Sequence, residues 1–373
     1  MSKSVVAAGH ICLDITPSIA KQSSSGISDI FAPGRLINVG DADIHTGGAV
    51  ANTGLAMKIL GADVTLAGKI GYDDFGDMVI SIASKYNAAS GLIRSKDDST
   101  SYSVVLAVPG IDRIFLHNPG ANNTFCAEDL PMDAIRNAAL FHFGYPPLMK
   151  RIYENDGEEL VKILRIVKDA GAATSLDLAA VDPDTPAGKA DWKKILINAL
   201  PYVDIFVPSI EELLFMLDRT KYEDLRKNNA DRDLTEVIDL ERDIVPLGKT
   251  CMELGARIIL IKCGVPGMYY CTASSGILNK ISPRLRLDVK AWADKSGFET
   301  SFVPDKVLSG TGAGDTSVAA FLTSILNGCT PEQCVRYASA TGACCVSSYD
   351  ALSGLLSFEK LDEKIAAGWK KLS

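Results

Sequence analysis

Histidine is scarce in this chain: four occur in 373 residues, at positions 10, 45, 117 and 142. The nine cysteines are scattered, and although Cys344 and Cys345 are adjacent, no CxxC pair exists. Neither set has the spacing of a structural zinc site. The pattern reads as reduced, buried thiols of a cytosolic protein. Long apolar runs are missing as well. No segment reaches the roughly 18 uninterrupted apolar residues that mark a membrane-spanning helix. The apolar start from Ser4 to Leu13 is short, interrupted by His10 and followed by Asp14, so it does not read as a signal peptide. The expectation is a cytoplasmic protein with no membrane partner. Basic excess is absent too: the formal net charge is −8 and the pI about 5.2. That balance disfavours nucleic acid and anionic membranes, yet a local patch can still bind a small anion. No internal repeat or low-complexity segment occurs.

What the chain has is apolar bulk, 47% of residues, enough for a large core. Its length fits two or three domains, or one large domain with an appendage. Val5 to Gly9 reads as a strand, with Asp14 just beyond it. Residues 29–43 are turn-rich and predict a hairpin with 36–39 as one strand. Gly47 to Asn52 opens an Ala-rich helix reaching Gly61, residues 63–67 follow as a strand, and 74–89 as a helix. Residues 100–108 and 112–117 alternate as two strands joined by 109–111. With the hairpin they predict a small sheet apart from the main domain, a lid built from segments about 15–45 and 98–120. From Ala139 the rhythm becomes strand then helix, with strands at 140–143, 173–177, 205–208 and 257–262 and a clear helix over 158–170. That argues for a parallel sheet covered on both faces. Residues 218–246 are highly charged and predict a helical elaboration whose inner contacts are Leu234, Val237, Ile238 and Leu240.

The densest chemistry lies in Gly310-Thr311-Gly312-Ala313-Gly314-Asp315-Thr316, with the apolar run Val318 to Leu322 directly after it. This predicts a tight loop feeding the N-terminus of a buried helix, whose unpaired N–H groups attract anions. Small residues let backbone donors approach a transferred phosphoryl group, and a carboxylate beside it can accept the proton of an attacking hydroxyl. Read alone, Asp315 is equally an N-cap; the small residues before it turn the balance towards a catalytic base. In open parallel sheets ligands bind beyond the carboxyl ends of the strands. Asp14, Gly144, Glu212 and Gly264 all follow predicted strand ends, so they can converge, although each alone also reads as a cap or turn residue.

From about residue 5 to residue 350 the sequence resembles the ribokinase-like, or PfkB, family of carbohydrate and nucleoside kinases. The resemblance rests on Gly47-Gly48-Ala49-Val50-Ala51-Asn52-Thr53-Gly54, on Leu60-Gly61 and Gly68 to Gly76, and on Gly312-Ala313-Gly314-Asp315-Thr316, in that order and separation. It implies a Rossmann-like three-layer α/β fold with a small β-sheet lid. It further implies that Asp315 is the general base, that Gly312, Ala313 and Gly314 form its anion hole, and that Asp14 binds sugar hydroxyls. Gly48, Asn52 and Asn122 would contact the substrate. Glu212, in Ser209-Ile210-Glu211-Glu212, matches the acidic residue that organises water-coordinated Mg2+, with Ser209 where the family usually has asparagine. Lys262, Gly264, Gly267 and Thr311 would lie near the phosphates of ATP. Ala340, Thr341 and Cys344 would flank adenine, with helix packing as the alternative. Ala49 stands where ribokinases commonly carry lysine. Val307 to Thr311 lacks an aspartate frequent before the catalytic loop, which leaves K+ dependence open. The implied activity is ATP-dependent phosphorylation of a sugar hydroxyl. The alternatives are a nucleoside kinase, for which Phe31, Tyr102 and Phe115 are candidate aromatic contacts, and a noncatalytic sugar-sensing protein. Relatives often pair through the lid, so a homodimer is an expectation.

Overall fold

The computed structural model describes residues 4–19, 33–34, 36–108, 114–229 and 232–372. In chain order its strands are β1 (Ser4–Gly9), β2 (Cys12–Pro17), β3 (Ala42–Gly47), β4 (Asp63–Ala67), β5 (Lys69–Gly71), β6 (Ile93–Ser95), β7 (Tyr102–Leu106), β8 (Ile114–Asn118), β9 (Leu140–Gly144), β10 (Ala173–Leu176), β11 (Ile205–Phe206), β12 (Ile258–Lys262), β13 (Gly267–Thr272) and β14 (Ser296–Thr300). The main sheet has the order β14-β13-β12-β11-β10-β9-β1-β4. It is parallel from β4 to β12, and β13 and β14 close one edge antiparallel. Alternation along β1 explains why its sequence is apolar without a break. Val6 and Ala8 point into one core cluster with Phe141, Phe143 and Phe206, while Val5 and Ala7 point into another with Leu55, Leu66 and Phe321. Both faces are buried, as a parallel sheet between helices requires. The fully buried face-filling residues of the Ala313–Leu326 helix, among them Val318, Phe321 and Leu322, belong to the second cluster.

The lid is a separate sheet of order β3-β2-β7-β8. β2 pairs antiparallel with β3 and parallel with β7, and β7 pairs antiparallel with β8. A third, two-stranded sheet joins β5 and β6.

Several expectations shift. Residues 36–39 form no strand; the lid strand lies at β3, and Leu36 is exposed. Asp14 is not a loop residue past β1 but sits within β2, so the lid itself carries it. The helix expected over 74–89 ends at Lys85, where Asn87 turns left-handed at φ 53. β13 and β14 were not anticipated, because an antiparallel edge breaks the strand–helix rhythm used to find the others. In the charged elaboration the Arg219–Asn228 helix buries no residue, whereas Leu234 is fully buried and Ile238 and Leu240 pack on the core. Phe31 lies outside the described residues.

Candidate active site

Asp315 is delivered by a tight turn. Gly312 precedes the helix with φ 73, and a Cβ there would overlap that of Ala351; only glycine fits such a left-handed, crowded position. The Thr316 amide closes the turn on the Gly312 carbonyl at 2.8 Å. Before it, the Thr311 amide donates to Ser309 Oγ at 3.1 Å, and the Thr311 carbonyl accepts from Cys345 Sγ at 3.4 Å. The end of the Pro331–Cys345 helix thereby staples the loop. Asp315 itself is 4% exposed. Its Oδ2 accepts from Asn52 Nδ2 at 2.9 Å, and its Oδ1 from the Tyr145 hydroxyl at 2.6 Å and Thr53 Oγ1 at 3.5 Å. All three partners come from other elements, so these bonds tie the carboxylate to the Gly48–Ile59 helix and the end of β9 rather than cap its own helix. Asn52 and Thr53 sit inside the Gly48–Ile59 helix, where such residues are weak helix formers; their gain is the contact with Asp315.

Lys262 ends β12 beneath this turn. Its Nζ donates to Asp177 Oδ1 at 2.6 Å, and the Cβ that Gly314 lacks would lie 3.9 Å from that Nζ. Glu212 forms a capping box with Ser209: the Ser209 amide donates to Glu212 Oε2 at 2.7 Å, and the Glu212 amide to Ser209 Oγ at 3.2 Å. The serine that replaces the usual asparagine is thus the N-cap of the Ile210–Leu217 helix. Burial opposes the Lys262 charge, but Asp177, Glu212 and Asp315 outweigh it and raise the ammonium's pKa. Burial pushes Asp177 upward against the pull of Lys262, and the Glu212 and Asp315 carboxylates add to the push. Asp177 Oδ2 is buried with no partner. Three carboxylates around one ammonium leave a cation deficit, which fits a hard divalent ion held through oxygen ligands.

The lid sheet contributes Asp14. Asp14 Oδ1 accepts from Cys12 Sγ at 3.3 Å. Burial raises the Asp14 pKa; hydrogen bonds from Cys12 and Ser103 and the nearness of His45 pull it back, and Asp315 adds to the rise. The two carboxylates therefore lie near enough to repel each other. His10 Nε2 meets His117 Nε2 at 3.3 Å, and His117 Nδ1 meets Ser103 Oγ at 3.0 Å. The His10 ring lies 6.1 Å from that of Tyr145. Burial, reinforced by His117, lowers His10 to about 3, and burial lowers His117 as well. Gly48, the first helical residue, abuts His10.

Asn122 has a different position from the one expected. It is fully buried, its Oδ1 accepts from the Ile11 amide at 3.1 Å, and its Nδ2 donates to the Ile11 carbonyl at 2.9 Å. Its carboxamide clamps the joint between β1 and β2. Gly264 and Gly267 flank the turn from β12 to β13. Ala340 and Cys344 pack with Phe302, Ala343 and Leu361, while Thr341 Oγ1 is buried without a partner. Sequence reasoning passed over Tyr145, Asp177, Thr53, His10 and His117. The strand-end rule selected Gly144, one residue short of Tyr145, and Asp177 lay inside the strand expected over 173–177, whereas β10 ends at Leu176.

A family model described as pfkB family carbohydrate kinase matches residues 3–357. The chain belongs to that family. Fructokinase-2 of Solanum lycopersicum is 26% identical over 364 residues, covering 94% of this chain and 92% of that protein. The structure of Arabidopsis thaliana ribokinase complexed with ribose and ATP matches with a TM-score of 0.70 at 20% identity, over 97% of this chain and 98% of that one. Fructokinase with bound ATP from Xylella fastidiosa matches with a TM-score of 0.68 at 20% identity, over 98% and 99%. These likenesses agree with the Rossmann-like three-layer architecture and its small lid sheet. Family membership brings with it a phosphotransferase activity of the sugar and nucleoside kinase class. Among the described residues no helix is long and apolar enough to cross a membrane.

Proposed function

We propose that this protein transfers the γ-phosphoryl group of ATP to a hydroxyl of a sugar. The observation that carries the reading is Asp315, a buried carboxylate at a glycine-bounded helix N-terminus, with the lid's Asp14 on one side and Lys262 on the other. The acceptor binds under the lid, where Asp14 takes hydrogen bonds from its hydroxyls. As the acceptor oxygen attacks the γ-phosphorus, Asp315 takes the hydroxyl proton and ADP leaves with the electrons of the broken P–O bond. The amides of 312–314 and the Lys262 ammonium stabilise the charge on the transferring group. Magnesium, when bound, would neutralise phosphate charge, with Glu212 holding it through water and Asp177 beside it. Lid closure excludes water and limits wasteful hydrolysis of ATP.

The fructokinase named among the relatives supports a sugar as acceptor. A nucleoside is the second reading, favoured by the ring wall of Tyr145, His10 and His117. A homodimer through the lid is supported by Ile114 and Leu116 on β8, exposed at the edge of the lid sheet, and sedimentation tests it. The deciding experiment is an ATP- and Mg2+-dependent screen, with and without K+, of hexoses, pentoses, keto-acid sugars and nucleosides. A phosphorylated sugar is expected. A phosphorylated nucleoside would move the assignment to the second reading, and binding of a sugar without turnover would favour a sensor.

A further inference from the structure

Tyr145 stands in a left-handed backbone conformation. It follows the last residue of β9 with φ 66 and ψ 45, a left-handed backbone that bulky residues rarely adopt. Pro146 fixes the next φ, so the turn is held from the far side. The result is a phenol 2.6 Å from Asp315 Oδ1. The same ring faces His10, which touches the lid's His117. Burial and the surrounding carboxylates of Asp315, Asp177 and Glu212 raise the phenol's pKa far above the ordinary range, so it donates and does not ionise. A terminal carboxylate torsion is broad and easily turned. With Tyr145 on Oδ1 and Asn52 on Oδ2, that freedom is gone, and the remaining lone pairs face fixed directions.

We propose that Tyr145 is the positioning residue for Asp315: its hydroxyl locks the carboxylate plane and restrains its hold on the proton it accepts. The inference rests on the kinase reading above. During transfer the acceptor proton goes to Asp315, and Tyr145 keeps its own.

The test is Tyr145→Phe in the full chain, which retains the ring and removes the hydroxyl. With the acceptor found by the screen, kcat should fall roughly 10- to 100-fold, while the KM for ATP stays within twofold. A donor to the charged form favours that form. Its loss should therefore raise the carboxylate's proton affinity and move the acid limb of the kcat/KM profile to higher pH. A purely structural role would lower the melting temperature and leave that limb in place. The same gain should appear without any acceptor, in a 13C-carboxyl NMR titration in which Asp315→Asn assigns the resonance. A wild-type enzyme that phosphorylates nothing would sink the kinase reading, and the NMR titration would then decide the Tyr145 proposal alone. An unchanged titration midpoint, or superimposable pH profiles, would overturn it.

Discussion

Lys262 offers a quantitative test of the electrostatics beneath the Gly312–Asp315 turn. Its side chain is 13% exposed and that of Asp177 0%, with 2.6 Å between Nζ and Oδ1. Lys262→Met would leave the Asp177 carboxylate buried, with Oδ2 already unpartnered and two further carboxylates acting on it. Removing one partner of such a pair costs about 3–5 kcal/mol, whereas replacing both with apolar groups of similar volume is often near neutral. Against a typical total stability of about 5–15 kcal/mol, the single variant should be visibly crippled. The double variant Lys262→Met/Asp177→Leu should recover most of the loss. Urea unfolding of the wild type, both single variants and the double variant, read at constant m, gives the coupling. The reasoning fails if the double variant loses the sum of the two singles, or if Lys262→Met costs under about 1 kcal/mol, the range of a solvent-screened pair.

Two other perturbations address the buried histidines and the turn. Burial, with Lys262 adding, lowers His142 to about 3. A lowered histidine contributes stability that is present above its ordinary value near 6.5 and lost as pH falls towards the folded value. Wild type should therefore lose about 1.4 kcal/mol per pH unit at this site between pH 6 and 4. His142→Phe should flatten the stability curve by that slope; unfolding curves measured across pH that run parallel for the two proteins would contradict it. Gly312→Ala must place a methyl against Ala351 on a left-handed backbone, a conformation that alone costs roughly 1–2 kcal/mol. A lower melting temperature and at least a tenfold loss of turnover are expected, and an unaltered melt with full turnover would refute the account of the turn.

The parts legible in the sequence were those set by local rules. The buried parallel strands announced themselves as short apolar runs, and the Gly312–Asp315 turn as glycines leading into an apolar helix. The parts that were not legible depend on pairing at a distance. β2 contains Asp14 and ends at Pro17, so it lacks a strand's pattern and exists because β3 and β7 flank it. The Asp177–Lys262 pair joins residues 85 apart in sequence. The Tyr145–Asp315 bond joins residues 170 apart, and no local spacing encodes either. Asn122 illustrates the converse: its motif pointed to the substrate, but its amide groups are taken by the Ile11 backbone.

Asp315→Asn bears most directly on the central assignment. The substitution keeps the side chain's shape and an acceptor for Tyr145 while removing the base. General base catalysis contributes roughly 10²–10⁴-fold. Turnover of the acceptor identified by the screen should fall by that factor, while ATP affinity and melting temperature stay close to wild type. Turnover within twofold of wild type would contradict Asp315 as the proton acceptor.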